Sequence, residues 1–209
     1  MVAMEPTTVE QLHSENNALQ VKIAELSAIN KIALMLGTSL EFEEFLDQFI
    51  VAIQDTVHCD RVLILVQDDQ ETVLQYGASN FKLPGDQQAN LEGLRLGTFQ
   101  PEAGSIVDDW GSGKSVWGNL NAGEDSASIK WLLTHLVTDA FFSIPLRAED
   151  RLIGAVIIDN KPSGRPLETT YQYWMEIISG SGATALQNAR LHHKTVRELA
   201  DSMREMYIL

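Results

Sequence analysis

Gly111-Ser112-Gly113-Lys114-Ser115 carries the glycine, lysine and hydroxyl types of a phosphate-cradling loop. The nucleotide motif also needs a glycine five residues before Gly113, where this chain has Asp108, and it needs a strand before it and a helix after it. The local pattern predicts the reverse order. Asp108 and Asp109 would also repel the phosphates such a loop holds, so ATP binding is not expected. The dinucleotide pattern fails as well, because Val116 stands where its third glycine belongs.

The remaining reactive types are sparse. Cys59 is the single cysteine, which excludes an internal disulfide and a multi-cysteine zinc site, and it reads as a small buried hydrophobe. His135 falls in a short amphipathic stretch where it could ligate haem iron, although a satisfied helix histidine is the ordinary reading. His192 and His193 are adjacent, so they point from different helix faces and make a poor metal pair. No serine, histidine and aspartate form a nucleophile-elbow arrangement. No catalytic residue and no metal site are assigned, and the chain is not expected to be an enzyme.

What stands out is aromatic enrichment: Phe99, Trp110, Trp117, Trp131, Phe141 and Phe142. Ligand pockets are mostly apolar with a few placed polar groups, and Asp108, Asp109, His135 and Ser143 supply those types here. Ordinary core or lid packing is the competing reading. Trp110, Trp117 and Trp131 are the leading candidates for small-molecule contacts.

The elements that must position these residues follow from periodicity. Leu12, Leu19, Leu26 and Ala33 repeat every seven residues, with Val9, Asn16, Ile23 and Asn30 at the other apolar seam. Two asparagines on the seam are poor choices for a domain core but set register in a parallel two-stranded coiled coil. Gly37-Thr38-Ser39 breaks the pattern, and Thr38 with Glu41 opens a second helix over 41–57. Strands over 61–67 and 72–78 form a hairpin. Residues 79–100 read as loop with an irregular strand near 94–99, followed by a short helix from Pro101 to Trp110. A strand over 115–117, a loop over 119–127 and a short helix over 128–137 come next. Strands over 140–146 and 152–159 flank a polar turn over 147–151. A helix then runs from about 168 to the end, and its tail repeats Ala189, Val196 and Met203 beside His192, Leu199 and Met206. Strands bracketed by terminal helices indicate an α+β fold with an antiparallel sheet.

The chain has 209 residues, 44% of them hydrophobic, so one domain with a substantial core is within reach. A net charge of −14 opposes nucleic-acid binding through phosphate contacts. The longest apolar run, Val62 to Val66, is far below a membrane span, and no signal peptide is visible. The expectation is a cytoplasmic protein without a membrane or nucleic-acid partner.

Four stretches in order make the chain similar to the GAF domain family over residues of about 25–192. They are AINKIALMLGTSLEFEEFLDQFIVAIQDTVHCDRVLILVQDD, AGSIVDDWGSGKSVW, FFSIPLRAEDRLIGAVIIDN and GATALQNARLHHKTV. The resemblance implies an antiparallel sheet of about six strands, with terminal helices packed on one face and loops and short helices forming a pocket on the other. It implies a regulatory domain that senses a small molecule and controls an attached histidine kinase, cyclase or similar module. The cyclic-nucleotide members carry an Asn-Lys-Phe-Asp-Glu signature. Asn160-Lys161 match it, but Leu167, Tyr171 and Gln172 replace the rest, so their lysine–aspartate pair does not form in the usual way. Bilin-binding relatives attach the chromophore through a cysteine in a region that here corresponds to 100–140, and Cys59 lies outside it. Members that reduce methionine sulfoxide need more than one cysteine.

The expected organisation is a coiled-coil helix over 1–36, a sensor domain over 37–190 and a signalling helix over 191–209 that is cut in mid-course at the apolar run MREMYIL. Leu12, Asn16, Leu19, Ile23, Leu26, Asn30, Val196, Leu199 and Met203 would zip two copies together. The expected partners are a second copy, an unidentified small molecule and a downstream output domain. The alternative is a dimerisation or scaffold domain that binds no ligand.

Overall fold

The computed structural model describes residues 11, 13–16, 19, 22–23, 42–68, 73–97, 104–121 and 126–206. The first helix described as a whole, α1, is Phe42–Val57, and its buried face is the expected one: Phe45, Leu46, Phe49, Ile50, Ile53 and Val57. It stops where His58 turns left-handed at φ 58° and closes the last turn with its N–H on the Gln54 carbonyl.

The chain then makes β1 (Arg61–Gln67), β2 (Leu74–Ser79), α2 (Asp86–Glu92), β3 (Arg95–Leu96), α3 (Gly104–Gly111) and β4 (Val116–Asn119). It continues with α4 (Ala127–Leu136), β5 (Ala140–Ala148), β6 (Arg151–Asp159) and α5 (Thr170–Met206). The six strands form one sheet in the order β3-β2-β1-β6-β5-β4, and every pairing is antiparallel.

Alternation along the central strands divides the core in two. Val62, Ile64, Val66, Phe142, Ile144, Val156 and Ile158 face α1 and α5. Leu63, Leu65, Phe141, Ala155 and Ile157 face the layer that contains Leu91 of α2, Ile106 and Trp110 of α3, and Leu132 and Leu136 of α4. Both faces of β1 and β6 are covered, which is why VLILV and GAVII read as nearly unbroken apolar runs.

Two local features differ from the sequence expectation. Residues 86–92 form a helix where a loop is predicted. Only Leu91 of that helix is buried, so its sequence has no apolar stripe to betray it. The expected five-residue turn over 147–151 shortens to two residues, because Glu149 and Asp150 both adopt positive φ, 50° and 63°. That is the backbone of a tight two-residue hairpin, and the Arg147 guanidinium supports it with a bond to the Asp150 carbonyl at 3.0 Å. The predicted strand near 94–99 is confined to Arg95–Leu96, and its residues 98–99 lie outside the described part.

Helix α5 has 37 residues, a length of about 55 Å at 1.5 Å per residue. Its first half is seated on the sheet through Tyr171, Met175, Ile178, Ala183, Ala185 and Leu186. Beyond Ala189 the described side chains are largely exposed, including Leu191, Val196, Leu199 and Met203. At the amino end, Asn16, Leu19 and Ile23 are helical and exposed. Leu12, Leu26 and Asn30 lie outside the described residues, as does the Thr38–Glu41 cap.

Candidate functional site

The aromatic candidates separate onto the two faces of the sheet. Trp110 is fully buried between α3 and the strands beside Phe141. Its indole N–H donates to Ser143 Oγ at 3.1 Å, and that hydroxyl donates onward to the Val116 carbonyl at 3.2 Å. Both polar groups are therefore satisfied inside an apolar layer, as burial demands. On α4, the Trp131 and His135 rings lie 3.8 Å apart, and His135 Nδ1–H donates to the Trp131 carbonyl at 2.9 Å. Asp108 is exposed, and Asp109 lies 3.4 Å from the Lys114 ammonium at the surface. Phe99 lies outside the described residues.

Trp117 is on the other face. It precedes Gly118 in β4, so it points with Phe142 toward the α1 and α5 side, and the two rings are 4.4 Å apart. Gly118 is required here, since a Cβ at that position would lie 2.4 Å from the Phe141 ring.

The phosphate-loop look-alike has a structural explanation. It is the exit from α3. The N–H groups of Ser112, Gly113 and Lys114 donate to the carbonyls of Asp108, Trp110 and Asp109, so none is left to cradle an anion. Gly113 sits at φ 85°, and a Cβ there would fall 2.6 Å from Arg147 Nη1.

A cleft of about 460 Å³ opens at the end of the sheet where β4 stops, β5 begins and the β6–α5 loop crosses. Trp117, Asn119, Asp139, Lys161, Arg165 and Leu167 are among its walls. The β6–α5 loop is held by a chain of polar contacts. Asp60 accepts the Ser163 N–H at 2.8 Å and the Arg165 guanidinium at 2.7 Å. Burial pushes the Asp60 carboxyl upward, but the Ser163 and Arg165 hydrogen bonds together with the guanidinium charge hold it below its ordinary value. Asn160 accepts the Asp60 N–H at 3.0 Å and donates to the Tyr171 hydroxyl at 3.3 Å, which ties the loop to the first turn of α5. Lys161 of the partial Asn-Lys signature pairs with Asp139 across the cleft.

Beneath this loop lies a buried ion pair. Arg61 donates through Nε and Nη2 to the two oxygens of Asp159, at 2.8 and 2.5 Å, and a further Nη2 bond reaches the Leu136 carbonyl at 3.0 Å. The guanidinium also lies 4.3 Å from the centre of the Phe81 ring. Sequence reading passed over these residues, although a charge at one end of each apolar run, Arg61 before VLILV and Asp159 after GAVII, was a usable signal. Asn119, Asp139 and Arg165 gave no such signal, because the end of β4, the α4–β5 connection and the β6–α5 loop bring them together from distant parts of the chain.

Cys59 is buried, and burial pushes its thiol up to about 12, far from the thiolate a nucleophile requires. Among the described residues, no group of three or more His, Cys, Asp or Glu could hold a metal ion. His192 and His193 are exposed on α5. No helix of the described residues is long and apolar enough to cross a membrane.

The GAF domain family matches residues 41–186. The chain belongs to that family. Its fold is also that of solved GAF structures. A methyl-accepting chemotaxis protein, residues 122 to 287, superposes with a TM-score of 0.60 at 18% identity, covering 77% of this chain and 96% of its own. The phycoerythrobilin-bound GAF domain of a cyanobacterial phytochrome gives 0.60 at 18% identity, over 81% of this chain and 97% of its own. The GAF domain of an Acinetobacter phosphoenolpyruvate-protein phosphotransferase gives 0.59 at 14% identity, over 80% and 95%. No curated protein matches the sequence. At these identities the neighbours establish the six-stranded GAF architecture and nothing about the ligand.

Proposed function

We propose that this GAF domain is a cytoplasmic sensor module that binds a small molecule and passes the event along paired end helices to an output domain such as a histidine kinase or cyclase. The observation that carries the reading is the division of α5. Its first half is embedded in the domain core, and its second half offers Val196, Leu199 and Met203 to solvent at 52%, 61% and 46% exposure. An apolar stripe of this kind is a contact surface, and its seven-residue spacing suits a second identical helix. Asn16, Leu19 and Ile23 extend the same logic at the amino end. Movement of α5 against the sheet would then be felt by both copies, provided the ligand binds one arrangement better than the other. In this reading residues 1–36 and 191–209 are the pairing and signalling helices, 37–190 is the sensor, and no reaction is catalysed.

The test is the oligomeric state. Sedimentation velocity is expected to show a dimer for the full chain and a weakened dimer with an intact fold after deletion of residues 1–24 or in Leu199→Asp. A monomeric full chain at high concentration overturns the reading.

One observation favours the alternative, a dimerisation or scaffold domain without ligand. Trp110 fills the space between α3 and the sheet, and its one polar atom is already satisfied by Ser143. In that case Trp110, Trp131, Phe141 and Ser143 are packing residues rather than ligand contacts. Absence of any thermal shift across a metabolite panel, with the dimer retained, would favour this second reading.

A further inference from the structure

We infer that the cleft at the β4 end of the sheet is a binding site for a planar aromatic carboxylate, separate from the α3–α4 face where Trp110 and Phe141 lie. It goes beyond the sensor reading and does not depend on the dimer. At about 460 Å³ the cleft is within the range of small-molecule pockets. One wall is the half-exposed indole of Trp117, backed by Phe142, with Leu167 from the β6–α5 loop also lining the space. A flat ring finds an aromatic surface and an apolar side chain there.

The polar side of the cleft selects the charge. The ionic groups that line it are two cations, Lys161 and Arg165, and one carboxylate, Asp139. The lining thus carries one more positive than negative group, on a chain whose net charge is −14. Asp60 and Asp159 stand behind this lining and are engaged, by Arg165 and Arg61 respectively. Both cations keep donors to spare. Arg165 uses Nε on Ser163 and Nη2 on His58 and Asp60, which leaves the two N–H groups of Nη1. Lys161 gives one hydrogen bond, to Asp139, out of three. A carboxylate entering the cleft finds these spare donors without breaking either ion pair, whereas a ligand cation would find Asp139 as the one carboxylate of the lining, already engaged by Lys161. The site also bears on output, because its floor includes the loop that Asn160 fastens to Tyr171 at the start of α5.

The 209-residue chain is titrated with 2-naphthoate and, separately, with the neutral 2-naphthamide, by isothermal calorimetry with the Trp indole N–H signals followed by NMR. The expected result is saturable binding of one 2-naphthoate per chain. Affinity should fall about tenfold for the amide and in Lys161→Gln, the scale of losing a hydrogen bond to a charged group. It should fall further in Trp117→Leu and stay unchanged in Arg151→Gln, at the opposite end of the sheet. Lys161→Gln alters only an exposed pair, so it answers the question even if Trp117→Leu fails to fold. No saturable binding overturns the inference, and so does equal binding of acid and amide with no effect of Lys161→Gln. Binding lost in Trp110→Phe but kept in Trp117→Leu places the ligand on the other face, which overturns this site and leaves the sensor reading standing. Binding as expected by a chain that proves monomeric keeps this site and removes the paired-helix route.

Discussion

The indole N–H of Trp110 donates to the hydroxyl of Ser143 at 3.1 Å across the space between α3 and β5, and Ser143 passes the bond on to the Val116 carbonyl. Helix α3 is thereby latched to strands β4 and β5 at one buried point. Trp110→Phe keeps most of the apolar volume and removes the latch. It should cost about 1 kcal/mol, the net worth of one buried hydrogen bond. Trp110→Ala should cost about 3–5 kcal/mol, since it also leaves a cavity. Urea unfolding of the two variants measures the difference, and equal losses would show that the hydrogen bond rather than the packing dominates.

Arg61 and Asp159 form a second buried latch, between β1 and β6, with side-chain exposures of 8% and 3%. Asp159→Ala strands a buried guanidinium and should destabilise by about 3–5 kcal/mol. The double variant Arg61→Met, Asp159→Leu should lose less than the single one, because replacing both partners removes the uncompensated charge. A double variant as unstable as the sum of its parts would mean that the Arg61 bond to the Leu136 carbonyl and the bond that Asp159 accepts from the Lys161 backbone N–H at 2.9 Å matter more than the pair itself.

Asp60 confers a pH dependence whose sign is set by its lowered pKa. Its carboxylate stabilises the folded chain above the ordinary carboxyl range, and that contribution is lost as the pH falls through the lower folded-state value. Wild type should therefore lose more stability between pH 7 and pH 3 than Asp60→Asn does. Urea midpoints across that interval give the comparison, and parallel curves would remove Asp60 from the account.

Gly182 is where α1 and α5 approach most tightly among the glycines on those helices: a Cβ there would fall 2.1 Å from the Phe49 ring. Phe49 is fully buried and cannot move aside freely. Gly182→Ala should cost about 1–3 kcal/mol, as overpacking does, despite the better helix propensity of alanine. Gly180→Ala, with open space around the same atom, should gain about 0.5–1 kcal/mol. Thermal melts of the pair read the contrast, and a stabilised Gly182→Ala would mean that the helices can separate at that point.

The sequence by itself determined the antiparallel α+β class and the order of its main elements, because 3.6-residue periodicity survives where a helix meets the core on one face, and strands buried on both faces stand out as short apolar runs between polar turns. It marked α1, the central strands and the long final helix within a few residues, and it carried the family likeness in four ordered stretches. It did not mark α2, whose lone buried residue leaves no pattern, nor the two-residue β5–β6 turn, where Glu149 and Asp150 take positive φ without a glycine to announce it. Only the tertiary structure decided which side of the sheet each aromatic occupies. Trp110 and Trp117 are seven residues apart and read alike in a composition count, yet pleat alternation and the path of α3 send them to opposite faces. The cleft was equally hidden, because Trp117 of β4, Asp139 before β5 and Arg165 of the β6–α5 loop become neighbours only when distant parts of the chain converge at one end of the strands.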